Sequence, residues 1–255
     1  MNEEEVNPVV VWVGRVAILV TFFGLWEYAS RNGILDPLLV GAPSGIASFL
    51  WDGLFVKGDI WYDLGWTLRA TAIAFVIGGV SGVLVGMLFV VNPTIEKMMS
   101  PIVAALNAMP RAALAPLFLI WFGLGIGSKI ALAVSLSFFM VLSATVAGGR
   151  GVSADHLTLA RTLGASGSTT FLKFTLPNAV PVIFSGLRLG LVYSLLGVIF
   201  GELIAAEHGL GQTLTVLAAE FKTNGVFALI ILLAMIGMIL SSIMTMIENH
   251  LLRWR

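Results

Sequence analysis

Residues able to do chemistry are few and scattered in this chain of 255 residues. The absence of cysteine excludes disulfides, thiolate catalysis and the common structural zinc sites. The three histidines, His156, His208 and His250, fall outside the apolar segments, and no Gly-Lys pair occurs that could form a phosphate-binding P-loop. The sequence therefore predicts no catalytic set, no metal site and no cofactor bound by this chain.

Polar residues that interrupt long apolar segments are better functional candidates. A polar group in the bilayer core is costly unless it faces protein or water, so such residues mark transport paths. Arg188 and Glu202 lie on one predicted helix but about 21 Å apart, so each needs another partner. The candidates for a translocation path or gate are Asn107, Pro110, Arg111, Arg188, Tyr193, Ser194 and Glu202.

These candidates keep alternative interpretations at this level. Glu202 either reaches headgroups or water at the outer end of its helix or serves a gate, and Arg188 either anchors an inner helix end or lines the path. Arg111 follows Pro110 in a segment interrupted by prolines. A cation at that position would suit an anionic solute.

The longest polar stretch of the second half, residues 153–177, predicts a short helix outside the membrane. Ser153 or Asp155 can cap its start, and Gly164 is suited to its end. At 100° per residue, four apolar residues share one arc: Leu157, Leu159, Ala160 and Leu163. The helix either lies on lipid headgroups or inserts its face into a groove on a partner protein.

The elements that position these residues are apolar helices. The chain is 58% hydrophobic and 11% charged, whereas soluble domains carry about 25% charged residues. The fold class is therefore all-α, a polytopic membrane protein. Each span needs about 20 mostly apolar residues. Six segments satisfy this requirement, at about 9–29, 67–91, 98–122, 129–147, 179–206 and 226–247.

Two of these spans carry special features. Small residues recur at every fourth position of the second span, which allows another helix to approach closely, either within the chain or in a dimer: Ala70, Ala74, Gly78, Gly82 and Gly86. The third span contains Pro101, Pro110 and Pro116 and must kink or unwind. The kinks are either absorbed by neighbouring helices or form a gate beside a path.

The remaining segments suggest an organisation in two parts. Residues 1–66 comprise the first span and an outer amphipathic region, and residues 67–253 comprise the core with a loop at 149–178. Six spans place both termini on one side, and that side's segments hold six Lys and Arg against four on the other, which indicates cytoplasmic termini. Balanced charge, with fourteen basic and fourteen acidic residues, indicates a lipid rather than a nucleic-acid partner.

Loop 149–178 resembles the cytoplasmic signature of ABC importer permeases: Glu-Ala-Ala, three residues, Gly, nine residues, then Ile-x-Leu-Pro. The matching positions are Ala160, Gly164, Phe174, Leu176 and Pro177. Thr158 and Leu159 depart from the Glu and the first Ala. Residues 40–53, 110–129, 186–203 and 207–211 look like pieces of the nitrate, sulfonate and taurine branch of this family, in the same order.

The resemblance implies a type I ABC importer permease fold and half of an ATP-driven translocation path in a bacterial inner membrane. The implied partners are two copies of a cytoplasmic ATPase that carries ATP and Mg²⁺, a second permease subunit expected to be identical, and a periplasmic or lipid-anchored solute-binding protein. The implied solute is small and anionic or polar: a sulfonate, nitrate, taurine-like compound or vitamin precursor. The residues implied in ATPase coupling are Asp155, Leu159, Ala160, Arg161, Leu163, Gly164, Ala165, Phe174, Leu176 and Pro177.

Three other functions are considered. A stand-alone secondary transporter or channel, the main alternative, would show two related halves, paired broken helices or a ring of filter carbonyls. An intramembrane enzyme would need a catalytic set inside the spans. A membrane scaffold is compatible with the composition, and only the loop spacing and the resemblance speak against it.

Overall fold

A computed structural model describes residues 8–252, apart from the side chains of Pro8, Ala154, His156, Leu157 and Arg161. The predicted limits at residues 1 and 253 lie outside this range. All regular structure in residues 8–252 is helical, as predicted. The α-helices are α1 (Pro8–Arg31), α2 (Pro37–Val40), α3 (Pro43–Trp51), α4 (Ile60–Val91), α5 (Pro93–Ala108), α6 (Ala115–Phe122), α7 (Ile126–Arg150), α8 (Ala154–Thr162), α9 (Gly167–Thr170), α10 (Leu176–Ile204), α11 (Leu210–Ala219) and α12 (Thr223–Leu251).

The membrane-spanning elements agree with the predicted number. Five helical runs are long and apolar enough to cross a bilayer, and a sixth span results if α5 and the helical segment Arg111–Phe122 are taken together. These two pieces meet at an angle of 83°, so the predicted break in the third span is confirmed. Pro101 lies inside α5 without ending it, and Pro116 occupies the first turn of α6, where its missing N–H leaves no gap.

The second span starts earlier than the sequence indicates. Helix α4 begins at Ile60 rather than at residue 67, so the boundary predicted at residue 66 falls within it. Asp63 can lie in this first turn because its carboxylate accepts hydrogen bonds from the Gly209 amide at 3.0 Å and the Thr213 hydroxyl at 2.6 Å. A charge that appeared to end the span is therefore satisfied by the protein.

Residues up to Trp61, together with Leu214–Leu232, form one of two compact units. Within this unit, the Ser30 hydroxyl donates to the Gly41 carbonyl at 2.8 Å, and Asn224 Oδ1 accepts from the Ala42 amide at 2.8 Å. The region between α1 and α4, predicted to be amphipathic pieces outside or along the bilayer, contains α2, α3 and a π-helical turn, Asp52–Val56.

The other unit contains Tyr62–Thr213 and the chain from Leu233 onward. Its core is α7, which packs against α4 on one side and α10 on the other. A Cβ at Gly82 of α4 would lie 2.9 Å from the Phe138 carbonyl oxygen, and a Cβ at Gly197 of α10 would lie 2.5 Å from Ala133 Cα. The small-residue ridge of α4 thus packs within the chain, which was one of its two predicted uses.

Candidate functional site

Helix α8 is the short helix predicted outside the membrane, and its two ends are defined by specific hydrogen bonds. The Ser153 hydroxyl accepts from the Asp155 amide at 3.2 Å and so caps the start. Gly164 has a φ of +72°, and the Ala165 amide donates to the Ala160 carbonyl at 2.9 Å. This is a Schellman turn, in which a glycine in the left-handed region ends the helix and reverses the chain.

The apolar arc of α8 divides into a buried part and an exposed part. Ala160 is completely buried, whereas Leu159 is 51% exposed and Leu163 is 72% exposed. Asp155 is also exposed, and the side chain of Arg161 lies outside the described part of the structure. Among the described side chains of this arc, Ala160 therefore attaches the helix to its own chain, and Leu159 and Leu163, the latter just after the helix, remain available on the surface.

The chain returns to α10 as a continuous helical run rather than as the predicted loop. Ser166 caps α9, its hydroxyl accepting from the Thr169 amide at 3.2 Å, and a π-helical turn, Phe171–Thr175, leads directly into α10. The sequence predicted a start near residue 179, just after Pro177, which lacks an N–H. The wider π turn just before Pro177 accommodates this loss, so the run extends from Gly167 to Ile204.

A groove of 860 Å³ lies beside this run. Leu159, Phe174 and Pro177 line it, together with Lys173 and Glu248. Leu176, like Phe174 and Pro177, is half-buried. The groove therefore borders the same segment, 149–178, that carries the two exposed leucines.

Arg188 has its partner on α12, as the sequence required of a residue too distant from Glu202. Its Nη2 lies 2.7 Å from Glu248 Oε2. A second ion pair, between Arg150 and Glu96, joins the end of α7 to the first turn of α5. Both pairs connect separate helices of the same unit.

The break between α5 and α6 brings together three of the predicted path residues: Asn107, Pro110 and Arg111. Arg111 Nη2 donates to Asn107 Oδ1 at 3.1 Å and to the Leu106 carbonyl at 3.0 Å. Its Nη1 donates to the Ser135 carbonyl on α7. The guanidinium carbon also lies 4.2 Å from the centroid of the Phe139 ring.

Glu202 is enclosed by protein rather than directed at headgroups or water, which corrects the outer-end interpretation. Glu202 is only 2% exposed, and its carboxylate accepts hydrogen bonds from the Thr67 hydroxyl at 2.9 Å and from the Gly211 amide at 2.9 Å. The Thr67 hydroxyl in turn accepts from the Leu210 amide at 3.0 Å. We call Asp63, Thr67 and Glu202, with the amides that they bind, the Glu202 network.

The Glu202 network caps the start of α11. Three successive amides, those of Gly209, Leu210 and Gly211, donate to Asp63, Thr67 and Glu202 respectively. The first amides of a helix have no partner within the helix and carry its positive dipole end, so acidic side chains stabilise them. Two carboxylates from different helices thus satisfy one helix terminus.

Two other predicted path residues lie on α10. Ser194 is completely buried, and its hydroxyl donates to the Gly190 carbonyl of its own helix at 2.9 Å. Tyr193 is half-buried. Neither is a hydrogen-bond partner of Arg111.

Sequence reasoning missed Asp63, Thr67 and Lys129. Lys129 was counted among the loop cations, yet it is buried one turn inside α7, and its Nζ donates to the carbonyls of Leu124 and Gly125 at 2.5 and 2.8 Å. It lines a cavity of 150 Å³ together with Glu202. The available signal was the pair of carboxylates at two span ends near the glycine-rich sequence 207–211.

Comparisons with known proteins agree with one another. A family model described as binding-protein-dependent transport system inner membrane component matches residues 78–253. The chain is 31% identical to the formylaminopyrimidine transport permease protein ThiX of Halalkalibacterium halodurans, over 91% of each chain. It is 29% identical to the taurine transport system permease protein TauC of Escherichia coli, over 97% of this chain and 90% of that protein.

A solved structure supports the same fold. One chain of the inward-facing MetNI methionine ABC transporter superimposes on this protein with a TM-score of 0.67 at 18% identity. The match covers 77% of this chain and 99% of that one. The architecture is accordingly that of type I importer permeases.

Proposed function

Because this chain belongs to the family of binding-protein-dependent transport system inner membrane components, the permease subunits of ABC importers, we propose that segment 149–178 contains its docking site for an ATPase, on the face of α8 and its C-terminal turn. The observation that carries this proposal is the exposure of Leu159 and Leu163 on α8, at 51% and 72%. Family membership also decides against the stand-alone transporter or channel.

The two leucines suit a helix that inserts into a groove on a partner. Apolar side chains on one face of a short helix gain free energy when a complementary groove removes them from water. Ala160, buried on the adjoining side, and the Schellman turn at Gly164 hold α8 in a defined orientation. A lipid surface would accept the same face, so the experiment below separates the two partners.

The continuous helical run from Gly167 to Ile204 provides a route for transmitting movement. Displacement of α8 by an ATPase would act on the start of this run. Glycines of α10, including Gly190 and Gly197, bring its backbone close to α7 along its length. We infer that α7 and α10 move together when the ATPase closes around ATP.

The proposed assembly contains two ATPases, which supply bound ATP and Mg²⁺, and two copies of this permease. A solute-binding protein, periplasmic or lipid-anchored, would deliver the solute from outside. The absence of a Gly-Lys pair supports a separate ATPase subunit. In this assembly the chain is a multi-pass protein of a bacterial inner membrane, with both termini on the ATPase side.

The proposed solute is small and anionic or polar. The names of two relatives point to taurine and to formylaminopyrimidine, and sulfonates, nitrate and vitamin precursors share their size and polarity. The broken span α5–α6, with Asn107 and Arg111, would adjoin the translocation path, since interrupted helices supply polar backbone groups where a path needs them. Specificity would come chiefly from the binding protein.

Docking can be tested with one charge substitution and a matched control. Leu163→Asp places a carboxylate on the exposed apolar face, and Ser168→Asp adds the same charge to an exposed position in the first turn of α9. We expect Leu163→Asp to reduce the amount of ATPase that co-purifies with the tagged chain at least about tenfold, since burying an unpaired charge costs more than about 1.4 kcal/mol. Ser168→Asp should retain it.

Thermal unfolding of both purified variants provides the necessary comparison. An exposed substitution should leave the stability of the chain within about 0.5 kcal/mol of the wild type. If Leu163→Asp keeps its ATPase, α8 is not the docking element. Retention of the ATPase would leave lipid headgroups as the partner for the face of α8.

A further inference from the structure

Two prolines have opposite effects on α5. Pro101 lies inside the helix, which continues to Ala108, whereas Pro110 follows an extended Met109 with ψ 134° and the chain turns by 83°. In a continuing α-helix the amide of residue 110 would donate to the Leu106 carbonyl. Proline has no such amide, so Pro110 leaves that carbonyl without its donor.

The side chain of the next residue supplies the missing hydrogen bond. Arg111 Nη2 lies 3.0 Å from the Leu106 carbonyl oxygen, the same acceptor that an amide at residue 110 would have used. The same nitrogen donates to Asn107 Oδ1 at 3.1 Å. An unpaired carbonyl at membrane depth costs several kcal/mol, so this replacement removes one of the penalties of ending the helix here.

The other side of the guanidinium attaches the break to α7. Nη1 donates to the Ser135 carbonyl, and the guanidinium carbon lies 4.2 Å from the Phe139 ring centroid, where a cation is attracted by the ring face. A planar guanidinium with several donors can bond to two helices at once, and an ammonium group cannot reproduce this fork. Arg111 thus forms hydrogen bonds with both α5 and α7.

We propose that Arg111 is a positioning residue that maintains the bend between α5 and α6 by replacing the hydrogen-bond donor that Pro110 removes. Its hydrogen bonds are directed at acceptors of its own chain, and its charge is held against α7. This role is independent of ATPase docking and of the identity of the solute. Pro110 and Arg111 act as a pair, in which the first breaks the helix and the second stabilises the broken form.

The proposal predicts a rescue that depends on position. Arg111→Met should lower the thermal midpoint of the full-length chain, purified in detergent, by about 5 °C, and Arg111→Lys by less. Pro110→Ala added to Arg111→Met restores an amide opposite Leu106, and the midpoint should return to within about 2 °C of wild type. Pro101→Ala is the matched control: it restores an amide elsewhere in α5 and should shift the midpoint equally in the wild type and in Arg111→Met, whereas Pro110→Ala should raise it only in Arg111→Met.

A second measurement reports the bend itself. The chain lacks cysteine, so Ala112→Cys introduces a single thiol in the turn after the break, and a water-soluble maleimide measures its accessibility. The rate should change at least threefold in Arg111→Met. It should remain changed in the Pro110→Ala double variant, because a continuous helix restores stability without restoring the bend.

Several results would overturn the proposal. An unchanged midpoint and labelling rate in Arg111→Met would show that the guanidinium does not maintain the bend. A midpoint shift from Pro110→Ala that is the same in the wild type and in Arg111→Met, or no shift in either, would show that the hydrogen bond to Leu106 is not the one that matters. Because no readout involves transport, a failure here leaves the docking proposal unaffected.

Discussion

The Glu202 network buries polar side chains, whereas segment 149–178 exposes apolar ones. In the network, two carboxylates and a hydroxyl are bonded to three successive amides, and Glu202 is 2% exposed. In segment 149–178, two leucines extend from a short helix beside a groove of 860 Å³. The network is complete within one chain, whereas the segment offers surface that only a partner can cover.

This difference separates stability from function in the molecule. Removing any member of a buried network lowers the free energy of unfolding, because the remaining polar groups cannot form hydrogen bonds with water instead. A substitution on an exposed apolar face changes the free energy of unfolding little, because water already surrounds that face in the folded chain. Substitutions in the network should therefore affect folding, and substitutions in the segment should affect association.

The largest expected effect is that of Glu202→Ala. It leaves the Gly211 amide and the Thr67 hydroxyl without their acceptor in a buried site and should lower the free energy of unfolding by about 3 kcal/mol. Glu207→Ala, five residues away at an exposed position, is the control and should change it by less than about 0.5 kcal/mol. Denaturant unfolding in detergent measures both. Similar values for the two variants would contradict the closed network.

Two glycines with positive φ compare the regions directly. Gly209 has a φ of +119°, and a Cβ there would collide with the Glu202 carboxylate, whereas Gly164 has a φ of +72° with no atom within 4 Å of its Cβ position. Gly209→Ala adds overpacking to backbone strain and should cost about 3 kcal/mol. Gly164→Ala adds strain alone, about 1 kcal/mol. Equal losses would mean that the collision is relieved by movement of the turn.

Two threonines one turn apart on α4 isolate the hydroxyl relay. Thr67 joins Glu202 to the Leu210 amide, whereas Thr71, also buried, donates only to the Thr67 carbonyl of its own helix. Thr67→Val should cost about 2 kcal/mol, since it leaves the Leu210 amide without its acceptor and removes one donor from the buried Glu202 carboxylate. Thr71→Val should cost less than about 0.5 kcal/mol. Denaturant unfolding of both variants tests the relay. An equal loss of stability in the two variants would exclude it.

Local sequence signals located the elements of both regions but not the contacts of the network. The spans follow from apolar run length, and the turn at Gly164 follows from a glycine just after an amphipathic arc, since both are properties of neighbouring residues. The bond between Thr67 and Glu202 joins positions 135 residues apart, and nothing in the local pattern specifies that pairing. Asp63 was interpreted as the end of a polar region because its partners lie beyond the fifth span.

The prolines also show that local sequence does not specify contacts between distant residues. Three prolines lie within or beside helices, Pro101, Pro110 and Pro177, and of these only Pro110 accompanies a sharp bend. The effect of each depends on what replaces the missing amide: a π turn precedes Pro177, and the Arg111 side chain accompanies Pro110. The break was predictable from sequence, but the replacement donor depends on three-dimensional placement.

The smallest effect should appear at Ser153, where the change is confined to α8. Ser153→Ala removes the acceptor for the Asp155 amide, a cap worth about 1 kcal/mol, so amides of α8 should exchange with solvent about fivefold faster. Global unfolding should remain unchanged, because α8 contributes only Ala160 to the buried interior among its described side chains. Hydrogen exchange followed by mass spectrometry measures the helix directly. Faster exchange without ATPase and protection with it would show that the partner orders the same helix that Ser153 caps.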